Sequence, residues 1–176
     1  MLYFLYFLLV LTLLFIIIFT SYQIYTKFFQ PGAFYYPTIP TDVKKMMKIV
    51  KISDKDTLVD IGSGDGRILI AAAKLGANAI GYEINPFLVV KSRKLIKNLN
   101  LDKQIKIYWK SFWKADYSKA TIITVYLFPS FMDRLQKLLE KKSKKKLKVI
   151  VNNYPFTKLK EDKKIGQIYL YTLNKK

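Results

Sequence analysis

The sequence of 176 residues predicts an α/β protein, with a Rossmann-like, doubly wound and mostly parallel sheet preceded by one N-terminal transmembrane helix. Three observations predict this architecture. The first 20 residues carry no charge and are almost entirely apolar. Short apolar segments then alternate with segments of helical periodicity, and the first of them breaks into a glycine-hinged loop that opens a helix.

The N-terminal apolar run extends from Met1 to Phe19 and is interrupted only by Thr12. At a rise of about 1.5 Å per residue, such a helix approaches the roughly 30 Å of a bilayer's hydrocarbon core. A cleaved signal peptide is the alternative, but it needs a basic start and a small-residue cleavage site, and this run has neither. We therefore predict an anchor over residues 1–26 that contacts the lipid bilayer.

The net charge of +19 lies entirely behind the anchor, because no charged side chain precedes Lys27. Membrane proteins keep Lys and Arg on the cytoplasmic side of a span, so a single-pass protein with its main domain on the cytoplasmic side is expected. Residues 27–40 contain three prolines, which resist both helix and sheet, and are predicted to form an extended linker. The main domain is predicted to cover residues 41–176.

The elements of the main domain follow from apolar spacing and from boundary residues. Thr41 with Asp42 is expected to begin the first helix, as its cap and its N-terminal acid. A single strand, Gln167–Thr172, is expected after residue 160. The other predicted elements are strands over Thr57–Ile61, Ala79–Tyr82, Ile105–Tyr108, Ala120–Leu127 and Leu147–Asn152, and helices over Arg67–Leu75, Pro86–Leu99 and Phe131–Lys142.

The glycine-hinged loop follows the first strand and carries Gly62, Gly64 and Gly66. A dinucleotide fingerprint needs a small residue where this chain has Arg67, so the spacing favours S-adenosylmethionine over NAD. Gly62 and Gly64 allow the backbone to approach a ligand closely, and the helix that follows offers free N–H groups to its carboxylate. The loop is therefore predicted to bind S-adenosylmethionine.

Two acids stand at the ends of the first two strands. Asp60 is expected to orient the ammonium group of the ligand. Glu83, 21 residues after Gly62, is expected to accept both ribose hydroxyls. The alternative is a tight turn with a chance surface Glu. After the third strand, Ser111, Phe112 and Trp113 are expected to meet the adenine, although such an aromatic pair is often part of the core.

The segment after the fourth strand, Phe128–Ser130, is expected to face the transferable methyl group. Amino-methylating enzymes that act on bases often carry Asn/Asp-Pro-Pro-Tyr/Phe there, and this chain does not. Asn153–Phe156 looks similar but follows the fifth strand, so it is interpreted as a pocket wall or a turn. A lysine acceptor reacts as the neutral amine, and a desolvating aromatic channel would lower its pKa. Such a channel is predicted from Tyr36, Phe128, Tyr154 and Phe156, beside Pro129.

Two residue types are missing from the sequence, because it contains neither Cys nor His. This excludes zinc sites with Cys or His ligands, disulfides, thiol nucleophiles and imidazole bases, and no metal site is predicted. Cytosine C5 methylation by its usual route needs a thiol and is excluded as well. Residues 137–148 contain seven lysines. They are interpreted as a solvated helix end, with anionic lipid or nucleic acid as alternatives, and the scarcity of Arg and aromatics disfavours RNA.

The motifs together resemble one known family. Residues 60–68 read Asp-Ile-Gly-Ser-Gly-Asp-Gly-Arg-Ile, and residues 81–86 read Gly-Tyr-Glu-Ile-Asn-Pro. Tyr36-Pro37-Thr38 precedes them and Phe112-Trp113-Lys114 follows. The sequence is similar in these segments to the seven-strand, class I lysine methyltransferases that modify the c-ring protein of ATP synthase and the adenine nucleotide translocase, and to their prokaryotic relatives.

This resemblance implies an anchored, S-adenosylmethionine-dependent enzyme whose acceptor is a lysine of a protein, possibly one associated with the membrane. It implies that the linker residues Tyr36, Pro37 and Thr38 fold over the cofactor. An RNA or small-molecule amine methyltransferase and a non-catalytic cofactor-binding membrane protein remain alternatives. The cofactor-binding set that the resemblance adds to the loop glycines and the two acids is Ser63, Ile84, Asn85, Ser111, Phe112 and Trp113.

The chain also departs from the family pattern. Ser111 stands where the family usually has Asp, and Asn153–Phe156 replaces an Arg-Phe-Pro type of segment. The first departure concerns the predicted adenine contact, and the second concerns the predicted acceptor site.

Overall fold

The computed structural model describes residues 1–29, 35–142 and 146–173, without the side chains of residues 24–29. The chain forms two compact units, residues 1–33 and 34–176. The first contains a single helix, α1, over Leu2–Phe29. By length and composition, its 22 residues Leu2–Gln23 are sufficient to cross a membrane. The helix continues past residue 26, where we had expected the anchor to end, and residues 30–34 of the predicted linker lie outside the described residues.

The second unit is built on a seven-stranded sheet. Its strands are β1 Thr57–Ile61, β2 Asn78–Glu83, β3 Ile105–Trp109, β4 Ile122–Val125, β5 Leu147–Asn152, β6 Lys163–Ile165 and β7 Ile168–Leu173. They lie in the order β3-β2-β1-β4-β5-β7-β6. Strands β1 to β5 are parallel, whereas β7 is antiparallel to β5 and β6 is antiparallel to β7. The mostly parallel sheet confirms the predicted fold class.

Helices cover both faces of this sheet, and each face has its own apolar core. Because side chains alternate along a strand, Leu58 of β1 faces one core and Val59 faces the other. The first core includes residues of α2, α3 and α4, and the second is packed by α5. These helices are α2 Pro40–Val50, α3 Arg67–Ala73, α4 Pro86–Asn98 and α5 Pro129–Lys142, and a short 3-10 helix covers Phe112–Lys114.

Two sequence predictions about these elements were wrong. Helix α2 begins at Pro40, with Ile39 as its N-cap and no side-chain capping bond, so Thr41 is not the cap. Proline at the first helical position fixes the helical φ in advance and needs no N–H partner. The prediction of one strand after residue 160 was also wrong, because β6 and β7 form a hairpin. Its turn contains Gly166 at a φ of 61°, and β6 has too few apolar residues to show a pattern.

Candidate functional site

The carboxyl ends of the parallel strands bring the predicted site residues to one edge of the sheet. The glycine loop leaves β1, Glu83 ends β2, Ser111 follows β3, and Phe128 follows β4. Strand order reverses between β1 and β4, which is the position where open α/β sheets bind ligands. Chain order alone does not give this neighbourhood, since β4 lies far from β1 in sequence.

The glycine loop is tied to the end of β2 by its backbone. The N–H groups of Gly62 and Ser63 donate to the carbonyl of Tyr82, at 2.9 and 3.1 Å. Gly62, Gly64 and Gly66 have φ angles of 81°, 54° and 82°, in the left-handed region that residues with a Cβ rarely adopt. A residue with a Cβ would therefore strain the backbone at each of these three positions.

Glu83 braces the loops that follow the first two strands. Its Oε2 accepts from the N–H of Gly64 at 2.8 Å, while Oε1 accepts from the N–H groups of Ile84 and Asn85 at 2.9 and 2.8 Å. The side chain is only 7% exposed, so it is not a chance surface acid. A carboxylate has about four acceptor positions, which leaves one free on Oε2. The bidentate ribose role stays a prediction, and it requires one hydroxyl to share an acceptor position that a backbone N–H group already uses.

Asp60 is a buried carboxyl group, 4% exposed, that accepts a hydrogen bond from Thr124 Oγ1 at 2.7 Å. Burial raises the pKa of Asp60 to about 7, and the nearby charges of Glu83 and Asp65 add to this rise against the opposing bond from Thr124. A cation beside this carboxyl group would favour its charged form. The environment therefore suits the ammonium role predicted for Asp60, and Thr124 is a partner that sequence reasoning missed.

Ser63 lies inside the loop with its side chain against β2. The residue is 4% exposed, and its Oγ has no hydrogen-bond partner among the described residues. A Cβ on Gly81 would lie 2.6 Å from this oxygen, so Gly81 makes the space that Ser63 occupies. This buried, unpaired hydroxyl fits a loop built to receive a polar ligand.

The lid segment, residues 35–39, runs without helix or strand along the glycine loop. A Cβ on Gly64 would lie 2.8 Å from Tyr35 Cε2, so the tyrosine ring packs directly on the glycine. Arg67 donates through Nη1 to the carbonyl of Thr38 at 2.9 Å, and Thr38 is 6% exposed. Tyr36 to Thr38 thus belong to a segment fastened beside the loop. Tyr35 and Arg67, which fasten it, were not among the predicted cofactor-binding residues.

The aromatic residues of the predicted acceptor channel have different environments. Tyr36 is 74% exposed and meets the ring of Tyr126 edge-on, with 6.0 Å between centroids. Phe128 is 45% exposed, just before Pro129 opens α5. Phe156 was predicted to line the channel, and this is wrong because it is a core residue. Sequence reasoning missed Tyr126 because it lies within the predicted strand Ala120–Leu127, whereas β4 ends at Val125.

The family of this chain can be assigned once this geometry is known. Residues 60–163 match the family model described as ANTKMT methyltransferase domain. The chain is 32% identical over 128 residues to a protein-lysine N-methyltransferase of Saccharolobus islandicus. The match covers 72% of this chain and 80% of that protein. The chain belongs to the ANTKMT methyltransferase-domain family.

Other ANTKMT-family relatives are longer than the matched region. Two of them, from human and mouse, are lysine N-methyltransferases named for the c-ring protein of ATP synthase. The chain is 37% identical to the human protein over 133 residues and 34% identical to the mouse protein over 152 residues. These matches cover 57% and 62% of the human and mouse proteins, respectively.

A similar solved structure is an RNA methyltransferase from Salinibacter ruber in complex with S-adenosyl-L-homocysteine. It has a TM-score of 0.77 and 31% sequence identity, and the match covers 80% of this chain and 95% of that one. The likeness confirms the class I methyltransferase fold for this ANTKMT-family chain.

The residues after β3 in this ANTKMT-family chain pack mainly on the protein itself. Trp113 lies 4.6 Å from the ring of Phe112 and 6.3 Å from that of Phe131, and the Arg134 guanidinium is 4.2 Å from its centroid. Trp113 is thus held against α5, and the adenine contact predicted for this segment stays a prediction. Ser111 immediately precedes the 3-10 helix.

Two further aromatic and polar residues border the predicted cofactor positions. Asn85 Oδ1 accepts from the N–H groups of Phe87 and Leu88 at 3.0 and 3.4 Å, so its side chain caps α4. Trp109, 67% exposed at the end of β3, donates through Nε1 to the carbonyl of Ile84 at 2.9 Å. Trp109 was not predicted as a site residue, because it falls at the end of a strand pattern.

Proposed function

We propose that this protein is an S-adenosylmethionine-dependent methyltransferase that acts on lysine side chains of proteins. The main observation behind the proposal is the set of hydrogen bonds that Glu83 makes to the loops after the first two strands. One buried carboxylate holds the glycine loop and the chain after β2 together at the switch point of the sheet. Membership of the ANTKMT family supports the reaction class, since relatives are named as lysine N-methyltransferases.

The cofactor would be held by residues from three segments. The backbone of Gly62 to Gly66 would lie against its methionine part, Asp60 would face the ammonium group, and Glu83 would face the ribose. Tyr36 to Thr38 would cover it. Bound S-adenosylmethionine supplies an electrophilic methyl group on a sulfonium that leaves as a neutral thioether.

The protein would have to present a neutral amine to that methyl group. A lysine with a pKa of about 10.4 is almost entirely protonated at pH 7, so removal from water is needed to lower its pKa. Tyr36, Tyr126 and Phe128 supply aromatic surface where β4 ends, next to the glycine loop. Burial raises the pKa of the Tyr126 hydroxyl, which keeps it uncharged beside the acceptor.

We propose further that α1 anchors the protein in a membrane as a single span, with the catalytic domain on the cytoplasmic side. The two threonines in its apolar region bond to their own helix: Thr12 Oγ1 donates to Leu8 O, and Thr20 Oγ1 donates to Ile16 O at 2.8 Å. Such bonds satisfy both threonine hydroxyls in hydrocarbon. N-terminal sequencing of the mature protein separates an anchor from a cleaved signal, because cleavage removes Met1 to Phe19.

An RNA methyltransferase is the second candidate. The observations that favour it are the name of the Salinibacter ruber structure and the net charge of +19. RNA binding by this route would depend steeply on salt, and the dependence would be lost when the lysine cluster from Lys141 to Lys148 is neutralised.

One labelling experiment tests both candidates. The full chain in detergent is incubated with methyl-labelled S-adenosylmethionine and with membrane proteins, RNA or lipids of the host. Label on lysine in protein is expected, whereas label in RNA or lipid alone contradicts the proposal. Asp60→Asn is the matched variant, because asparagine keeps an acceptor for Thr124 but cannot balance an ammonium charge. Its labelling is expected to fall at least tenfold.

A further inference from the structure

We propose that Arg67 is a positioning residue that fastens the lid segment over the glycine loop and so sets how long the cofactor stays bound. The lid latch consists of Tyr35 and Thr38 on the lid segment, and of Asp65 and Arg67 at the start of α3. The inference rests on the proposed function, since it takes the glycine loop as the cofactor site.

Arg67 connects the lid to the loop through one planar group. Its Nε and Nη2 donate to Oδ1 and Oδ2 of Asp65 at 2.9 and 2.7 Å, which is a bidentate pair. Its remaining nitrogen, Nη1, donates to the carbonyl of Thr38 at 2.9 Å. A lysine ammonium can replace one of these contacts but cannot hold the carboxylate and the carbonyl in this geometry.

Tyr35 forms the second connection of the latch. Burial and the Asp65 carboxylate raise the pKa of its hydroxyl group, and its ring packs on Gly64. The bond from Arg67 is the largest cause that lowers the pKa of Asp65, so this carboxylate is charged at neutral pH and serves both partners. Asp65 therefore lies beside Tyr35 of the lid and accepts three bonds from the arginine that also holds the lid.

The latch contacts Gly64, the residue of the glycine loop that is bonded to Glu83. Gly64 donates its N–H to Glu83 on one side and carries the Tyr35 ring on the other. Tyr35 is 43% exposed and Ile39 is 54% exposed, so apolar burial alone holds the lid weakly. Thr38 is 6% exposed and accepts from Asn152 Nδ2 at 3.5 Å, so Arg67 is one of several restraints on this segment and the one that joins it to the glycine loop. A ligand on the loop leaves when this connection opens.

An alternative is that Asp65 and Arg67 form only a local ion pair at the start of α3. Arg93 provides a matched control for this alternative. Its guanidinium also bonds a backbone carbonyl, that of Ile107, at 2.6 and 3.2 Å, but this bond joins α4 to β3 rather than to the lid. Arg67→Lys and Arg93→Lys thus remove the same kind of contact at two places.

The first measurement needs no ligand. Cleavage by chymotrypsin at residues 35–36 is followed in the full chain in detergent, for the wild type, Arg67→Lys and Arg93→Lys. Loss of a hydrogen bond to a charged group corresponds to roughly a tenfold or greater change in an equilibrium. Arg67→Lys is expected to speed cleavage about tenfold and Arg93→Lys to leave it unchanged. Equal rates in the three proteins would overturn the role of Arg67.

The second measurement is the dissociation rate of S-adenosylhomocysteine. Arg67→Lys is expected to raise it about tenfold, and Tyr35→Phe, which keeps the ring and loses the hydroxyl, to raise it severalfold. Rates within twofold of wild type in both single variants would overturn the inference. A wild type that binds no S-adenosylhomocysteine contradicts the proposed function, whereas the cleavage rates still decide whether Arg67 fastens the lid.

Discussion

Replacing Glu83 with glutamine changes the group on which both loops depend. The carboxylate accepts three backbone N–H groups, and the amide that replaces it has a single acceptor oxygen. If that oxygen still accepts from Ile84 and Asn85, the amide nitrogen faces the N–H of Gly64. Both of these groups are donors, so no hydrogen bond forms between them. The substitution therefore removes one bond and weakens two others without changing the size of the side chain.

The expected loss of stability follows from these contacts. A hydrogen bond to a charged group contributes about 1.5–3 kcal/mol, and a neutral one contributes about 0.5–1.5 kcal/mol. Losing one charged bond and neutralising two others lowers the free energy of unfolding by about 3.5–6 kcal/mol. A domain of this size then unfolds roughly 10–18 °C lower. The affinity for S-adenosylhomocysteine is expected to fall as well, because the remaining acceptor position of Oε2 is lost.

Thermal unfolding of the full chain, followed by tryptophan fluorescence, measures this loss. The two tryptophans lie in the second unit, and Trp109 bonds the carbonyl of Ile84 next to Glu83. Glu140→Gln is the control, because Glu140 is an exposed acid that accepts one bond from Gln136, which glutamine can also accept. A change below about 1 kcal/mol for Glu83→Gln, or an equal change in the control, would show that the brace does not hold the loops.

Three other substitutions test the remaining contacts. The pKa of Asp60 is raised to about 7 in the folded protein, so its contribution to stability is complete below about pH 4 and is lost as the pH rises to 7. Between these pH values, the unfolding free energy of the wild type should therefore fall by up to about 1.4 kcal/mol per pH unit relative to that of Asp60→Asn. If the two proteins lose stability in parallel as the pH rises, the raised pKa of Asp60 is contradicted. Gly81→Ala places a methyl group 2.6 Å from Ser63 Oγ, and denaturant titration should show a loss of about 1–3 kcal/mol. Trp113→Ala should cost about 2–4 kcal/mol and leave the Kd for S-adenosylhomocysteine within twofold, whereas a tenfold weaker Kd would indicate an adenine contact.

Strong local patterns made most of the fold predictable. The apolar segments of β1 and β2, the glycine loop and the proline at the first position of α4 each carry their signal within a few residues. Elements without such a signal were missed or misplaced. The strand Lys163–Ile165 pairs only because β7 lies beside it, and its own sequence contains two lysines and one apolar residue.

The candidate site was predictable where spacing along the chain reflects chemistry. The loop glycines and Glu83 follow a regular strand, loop and helix pattern, and all lie at one edge of the sheet. Phe156 shows the opposite case. Its aromatic ring near a Pro suggested a channel, but it is 4% exposed and its ring lies 5.0 Å from Tyr171 of β7, a neighbour that spacing alone does not reveal.

The sequence by itself determined the family, the fold class and the residues of the glycine loop, because backbone conformation and apolar periodicity are local properties. The tertiary structure alone decided which groups meet across the chain. Thr124 bonds Asp60 from a strand 64 residues away, and Arg67 reaches the carbonyl of Thr38 across 29 residues. Side-chain hydrogen bonds of this kind depend on distances of about 3 Å between segments that only the folded sheet brings together.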